Sequence, residues 1–258
     1  MDFIWYILTG SLVGLAVGMT GVGGGSIMTP LLLMFGFPPH IAIGTDLLYA
    51  GIAKSTGVYL HAKKKHVNWK VMAAMAAGSL PSSLLTIIWL SQYDKPDHYQ
   101  EILTATLGVM LVATAFVIIF RRNILSISSK KQSTSPSTKE HNLKYIFLSG
   151  IALGVLVTLT SVGAGALGTA LLMLLFPAMA AKNIVGTDLA HAVPLTLVAG
   201  IGHIFLGNVD YSLLTALLIG SIPAIYVGTH LSSYVPNAVL QPVLATALMG
   251  FGVKYLFF

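Results

Sequence analysis

The sequence predicts an all-α polytopic membrane protein made of two homologous halves, and three observations predict it. Hydrophobic residues make up 55% of the 258 positions and charged residues 9%, with a mean hydropathy of +0.84; a soluble domain carries about 25% charged residues. Eight apolar stretches approach the ~17–25 residues of a spanning helix. The chain also repeats itself. Gly44-Thr45-Asp46-Leu47 returns as Gly186-Thr187-Asp188-Leu189, 142 positions on. At that offset His61 falls on His203, Val67-Asn68-Trp69 on Val209-Asp210-Tyr211, and Gly78-Ser79-Leu80-Pro81 on Gly220-Ser221-Ile222-Pro223. Upstream the offset is 140, and Thr20, Val22, Gly23 and Gly25 fall on Thr160, Val162, Gly163 and Gly165. Paired hydrophobic halves sharing polar and glycine positions are the signature of a transporter built from repeats.

The elements follow in order. Phe3–Met19 is the first span; Met1-Asp2 supplies no basic segment ahead of it, so it is expected to be retained and not cleaved as a signal peptide. Ile41–Leu60, Val71–Leu90 and Ile102–Phe120 complete the long spans of the first half, residues 1–120. Residues 121–143 form a polar, serine-rich linker that is expected to be poorly ordered. Tyr145–Leu159, Ile184–Leu206, Leu213–Leu231 and Ala238–Phe257 make the second half, residues 144–258. Ile27–Phe37 and Ala166–Phe176 are only 11 residues long, and each follows a glycine-rich loop. Trp5, Trp69, Tyr93, Tyr145, Tyr211 and Tyr234 lie near predicted span ends, as interfacial anchors do.

The net charge of +6 resides mostly in two loops, Lys63–Lys70 and Arg121–Lys144. That distribution fits cytoplasmic loops of a cell-membrane protein. It gives no basic patch interleaved with aromatics, so nucleic acid is not an expected partner. Zero cysteine excludes disulfides and thiolate metal sites. If the two short stretches cross, each half has five spans and the second half is inverted. If they are re-entrant, each half has four spans and the repeats are parallel. The charge bias favours an inverted 5+5 repeat. The parallel arrangement would put His203–Asp210, which has no Lys or Arg, on the cytoplasmic side, where the corresponding loop of the first half, Lys63–Lys70, carries four lysines.

The loops Thr20–Ser26 and Thr160–Ala166 are the first site candidates. Glycine lets backbone approach a ligand closely, and the helix that follows begins with free N–H groups and a partial positive charge. The candidate anion cradle is therefore Thr20, Gly23, Gly24, Gly25, Ser26, Thr160, Gly163 and Gly165. A glycine-mediated helix contact is the competing explanation. No Gly-Lys-Ser/Thr follows either loop, so a phosphate loop is a poor match.

Ionisable residues inside spans are costly and face a cavity or a partner. Lys54 lies within Ile41–Leu60 and could attract an anion, pair with Asp46, or snorkel to an interface. Thr45-Asp46 and Thr187-Asp188 open the third and eighth segments; they could cap helix starts or hold a proton. His191 follows Asp188 by three positions and could form a polar pair with it. His61 and His203 occupy equivalent helix ends. Pro81, Pro194, Pro223 and Pro242 fall inside spans, as kinks or hinges. No spacing builds a metal site, and no cofactor-binding motif is present.

Gly18-Met19-Thr20-Gly21-Val22-Gly23-Gly24-Gly25 with Pro30, Ala42-Ile43-Gly44-Thr45-Asp46-Leu47, the basic loop ending Val67-Asn68-Trp69 and the echo Gly186-Thr187-Asp188-Leu189 resemble the TauE/SafE family, the sulfite exporter family of membrane permeases. The resemblance covers nearly the whole chain apart from the linker. It implies transport of small sulfur-containing anions such as sulfite or organosulfonates. The second half departs from the first where Gly24 and Ser26 become Ala164 and Ala166, and Lys54 becomes Thr196. The site is therefore expected to be asymmetric. The function expected is a secondary anion transporter working by alternating access in the lipid bilayer, with a homodimer compatible with the sequence. A negative interior expels an anion, worth ~2.3 kcal/mol per charge per 100 mV, which suits export. The alternatives are a cation or proton-coupled carrier using Asp46 and Asp188, and an intramembrane hydrolase pairing Ser161 with His191 or His203.

Overall fold

A computed structural model describes residues 2–20, 25–93, 97–120, 139–231 and 237–257, and within these ranges the regular structure is helix. The helices are α1 (Asp2–Thr20), α2 (Gly25–Met34), α3 (Pro39–Lys63), α4 (Trp69–Leu90), α5 (Asp97–Ile119), α6 (Lys139–Thr160), α7 (Ala166–Leu175), α8 (Ala181–Phe205), α9 (Tyr211–Leu231) and α10 (Asn237–Phe257). Four carry windows long and apolar enough to cross a membrane: Trp69–Leu90, Tyr99–Ile119, Ala181–Phe205 and Tyr211–Leu231. Large apolar side chains such as Leu84, Leu85, Ile88, Phe116 and Phe205 point outward. On a soluble protein such a surface would be a liability; here it is what lipid requires.

The short stretches form helices α2 and α7, 10 residues each. At ~1.5 Å per residue such a helix is about 15 Å long, half of a ~30 Å hydrocarbon core. Two boundaries shift from the sequence expectation. Pro38 is extended and Pro39 occupies the first turn, so α3 starts at Pro39 and not beside Thr45. The same happens at Ala180 and Ala181 in α8. Thr45-Asp46 and Thr187-Asp188 therefore lie in helix interiors and do not cap their own helices. Helix α6 starts at Lys139, within the last residues of the expected linker; the rest of that linker lies outside the described residues.

The packing pairs each half with the other. Helices α3 and α8 run antiparallel: Gly44 meets Asn208 and His203, Gly51 meets Thr196 and Leu197, Leu48 meets Gly200, and Gly186 meets His61 and His66. Helix α1 runs parallel to α9, with Gly10 on Leu217 and Gly14 on Ser221. Helix α4 runs parallel to α6, with Gly78 on Phe147 and Ile151, and Gly154 on Ser79 and Ser82. Helix α5 packs on α10. Many of these contacts recur: Gly10 on Leu217 as Gly150 on Met75, Gly78 on Phe147 as Gly220 on Ile7, and Gly44 on His203 as Gly186 on His61. Small residues at these crossings let backbones approach, the usual basis of helix association in lipid.

The reciprocity extends to single hydrogen bonds. The Thr187 hydroxyl accepts the Asn68 N–H at 2.9 Å, and the Thr45 hydroxyl accepts the Asp210 N–H at 3.1 Å. Asn68 and Asp210 in turn accept the N–H of Val71 and Leu213 as caps of α4 and α9. Each Thr thus ties its long helix to the turn that starts the fourth helix of the other half.

Candidate functional site

The second glycine-rich loop ends α6 and starts α7. Its path needs left-handed backbone at Ser161 (φ 58°), Gly163 (φ 112°) and Gly165 (φ 133°). The two glycines supply the last two values without strain. The Thr160 hydroxyl accepts the Val162 N–H at 3.1 Å and donates to the Leu156 carbonyl at 2.7 Å. That hydroxyl braces the loop. In the first loop, residues 21–24 lie outside the described residues, Gly23 and Gly24 among them; Gly25 and Ser26 open α2, and Thr20 closes α1.

Lys54 crosses from the first half to this loop. Its ammonium donates to the Ala164 carbonyl at 3.1 Å, and the residue is 9% exposed. Its charged neighbours are Asp46 and Asp188, both fully enclosed. In place of the expected Lys54–Asp46 pair, one ammonium lies within electrostatic reach of two carboxylates, one from each half, with its hydrogen bond given to backbone. The snorkelling explanation does not hold for a side chain turned inward.

Each carboxylate meets the first turns of its own half's short helix. Asp46 Oδ2 accepts the Thr29 hydroxyl of α2 at 2.5 Å. The Ser161 hydroxyl lies beside Asp46 from the other half. Asp188 lies against Gly168 of α7, where any Cβ would overlap its Oδ1. The counterpart of Thr29 is Thr169, but its hydroxyl donates to the Gly165 and Ala166 carbonyls at 2.5 and 3.0 Å. Among the described residues, Asp46 Oδ1, Asp188 Oδ1 and Ser161 Oγ are buried without a hydrogen-bond partner. Unpaired polar atoms at such a depth cost about 1–3 kcal/mol each.

A second ring of polar residues surrounds this centre. His191 Nε2 bonds the Ser79 hydroxyl of α4 at 2.7 Å, so the expected Asp188–His191 pair gives way to a tie between α8 and α4. At the equivalent place Tyr49 of α3 faces Ser221 of α9. His203 sits at one end of α8, where Asn208 Nδ2 donates to its Nδ1 at 3.2 Å. The remaining Nε2–H then donates to the Thr158 carbonyl at 3.0 Å. Asn208 also exchanges hydrogen bonds with Tyr99. Neither histidine approaches Ser161 as a base, so the hydrolase pairing is not formed. Thr196, at the place of Lys54, donates to the Ala192 carbonyl of its own helix at 2.9 Å; the expected asymmetry is there.

Sequence reasoning missed Thr29, Tyr49, Ser161 as a site residue and Gly168. The signal for Tyr49 was present, because it aligns with His191 just as Ser79 aligns with Ser221. Among the described residues no group of three or more His, Asp or Glu could hold a metal ion.

A family model described as Sulfite exporter TauE/SafE matches residues 6–255. The probable membrane transporter protein YjnA of Bacillus subtilis is 40% identical over 249 residues, covering 96% of this chain and 97% of the relative. The probable membrane transporter protein YdhB of the same organism is 30% identical over 243 residues, covering 92% and 94%. The probable membrane transporter protein MJ0441 of Methanocaldococcus jannaschii is 28% identical over 239 residues, covering 85% and 81%. No solved structure matches.

Proposed function

The chain belongs to the sulfite exporter TauE/SafE family, and on that premise we propose that this multi-pass membrane transporter carries small sulfur oxyanions, sulfite or organosulfonates, by alternating access. One observation carries the substrate class: a buried ammonium, Lys54, held at the start of a broken helix by the Ala164 carbonyl. A buried cation beside the positive end of a half-helix favours an oxyanion. The cradle is the backbone of residues 23–26 and 163–166, with Lys54 as the charge.

We read the halves as an inverted 5+5 repeat with residues 121–138 in the cytoplasm. The support is directional. A two-fold relation between α3 and α8 requires its axis to cross them at right angles if they run antiparallel, and to lie along them if they run parallel. Their contacts are antiparallel, which favours an axis in the membrane plane and five crossings per half. On this reading the axis passes near Lys54 and Thr196.

Ligand-dependent thermal stabilisation of the purified protein tests the reading, using sulfite, thiosulfate, sulfate, sulfoacetate, methanesulfonate, acetate and simple cations. A shift with a sulfur oxyanion that disappears in Lys54→Met supports it. A second reading, a cation carrier, is favoured by the excess of two carboxylates over one ammonium. A shift with cations alone, lost in Asp188→Asn, would select it.

A further inference from the structure

We propose that the anion is loaded together with one proton, and that Asp188, not Asp46, carries that proton. The inference rests on the anion reading above and adds its coupling ion. The two aspartates occupy equivalent places but differ in what surrounds them. Asp46 has a hydroxyl donating to Oδ2 and a second hydroxyl, Ser161, beside it. Among the described residues Asp188 has neither: no hydroxyl bonds it, Gly168 presents bare backbone against it, and the Thr169 hydroxyl, the counterpart of Thr29, is turned to carbonyls. A carboxylate is held ionised by donors and opposite charge. Asp46 has the Thr29 hydroxyl, Ser161 beside it and Lys54; among the described residues Asp188 has only the share of Lys54 that Asp46 leaves.

The surrounding elements do not change this balance. Helix α3 brings Lys54 and Asp46, and α8 itself brings His191, whose Nε2 is taken by Ser79. Helix α7 has no ionisable residue, and neither do α4 from Val71 to Leu90 nor α6 from Ile146 to Thr160. Lys54 with two ionised aspartates has a net charge of minus one, which repels an anion. One proton from water on Asp188 brings the empty centre to neutrality. The protonated carboxyl then has an O–H to donate to the bound oxyanion. On the far side the anion leaves, the proton returns to water, and the ionised carboxylate again faces Lys54. A monovalent anion with one proton crosses without net charge, so the proton gradient sets the direction. An inward gradient then drives uptake, the reverse of expulsion by membrane potential alone.

Two measurements on the full chain test this. The first needs no ligand: infrared difference spectra, taken between mildly acidic and mildly alkaline buffer, report the protonated carboxyl band. The band should vanish in Asp188→Asn and persist in Asp46→Asn. Loss in Asp46→Asn with persistence in Asp188→Asn overturns the assignment, as does the absence of any such band in the wild type. The second uses methanesulfonate, sulfoacetate and thiosulfate, chosen as anions that do not titrate near neutrality. Affinity should fall about tenfold per pH unit above the titration of Asp188 and be flat in Asp188→Asn. Binding that is independent of pH in the wild type overturns the coupling while leaving the anion reading intact. If no anion binds at either pH, the anion reading fails instead, and with it the coupling proposal; the infrared band then judges only the proton assignment.

Discussion

Asp46 is a buried carboxylate tied by a hydroxyl from another helix. A carboxylate inside an apolar run is conspicuous in the sequence, as are Lys54 and Asp188. Its donor is Thr29, 17 positions earlier on a different helix, and a threonine in an apolar stretch stands out from nothing. The hydrogen bond to a charged group should contribute about 1.5–3 kcal/mol. Thr29→Val is therefore expected to destabilise the protein by roughly that amount, read by denaturation in detergent. In an Asp46→Asn background the same change should cost less than half as much, because the acceptor has lost its charge. Equal costs in both backgrounds would mean that the contact stabilises nothing. Lys54 was recognised but not its direction, since its acceptor, the Ala164 carbonyl, is backbone 110 positions away. Tyr49 and Gly168 were missed for a related reason: one is an ordinary aromatic, and the other matters only for what it lacks.

Individual helices were legible because lipid demands apolar length, and apolar length is visible in composition. Their ends were less so, since Pro38-Pro39 starts α3 several residues before its polar pair. What composition could not give is the partner of each helix. The repeat offsets narrow that choice, and the reciprocal ties of Thr45 and Thr187 illustrate it. Each hydroxyl accepts one backbone N–H at the start of a helix of the other half. Thr45→Val and Thr187→Val should each cost about 1 kcal/mol. The two sites lie at opposite ends of the α3–α8 pair, so the double variant should show the sum; a marked shortfall would indicate that the two ends are coupled. The glycine crossings make a sharper case. A Cβ at Gly154 would run into the Ser79 backbone and the Ser82 side chain, whereas one at Gly250 meets nothing within 4 Å. Gly154→Leu is expected to cost at least about 1–3 kcal/mol, with Gly250→Leu near neutral by the same denaturation measurement. Similar losses in both would assign the effect to insertion and not to the α4–α6 seam.

For the whole molecule, the repeat matters because its halves are related but not identical. Lys54 leans on the second half's loop, and the equivalent Thr196 bonds its own helix. At the ends of α3 and α8, His203 is fixed by Thr158 and Asn208, while the equivalent His61 faces the ring of His66 at 5.6 Å. Two related halves in different local arrangements are what alternating access requires, because exchanging the arrangements turns the same site to the other side. That exchange works only if the halves are inverted, so the topology is the premise to test. Lys65 and Gly207 are repeat equivalents with matching left-handed backbone, φ 56° and 72°, in the turns after α3 and α8. A Cβ at Gly207 meets nothing within 4 Å, and the chain has no native cysteine. Lys65→Cys and Gly207→Cys should therefore label from opposite faces with a membrane-impermeant thiol reagent, applied to intact cells and to inside-out vesicles. Labelling of both from the same face would make the repeats parallel. It would then remove the symmetry argument for alternating access, because an axis along the membrane normal cannot exchange the two sides.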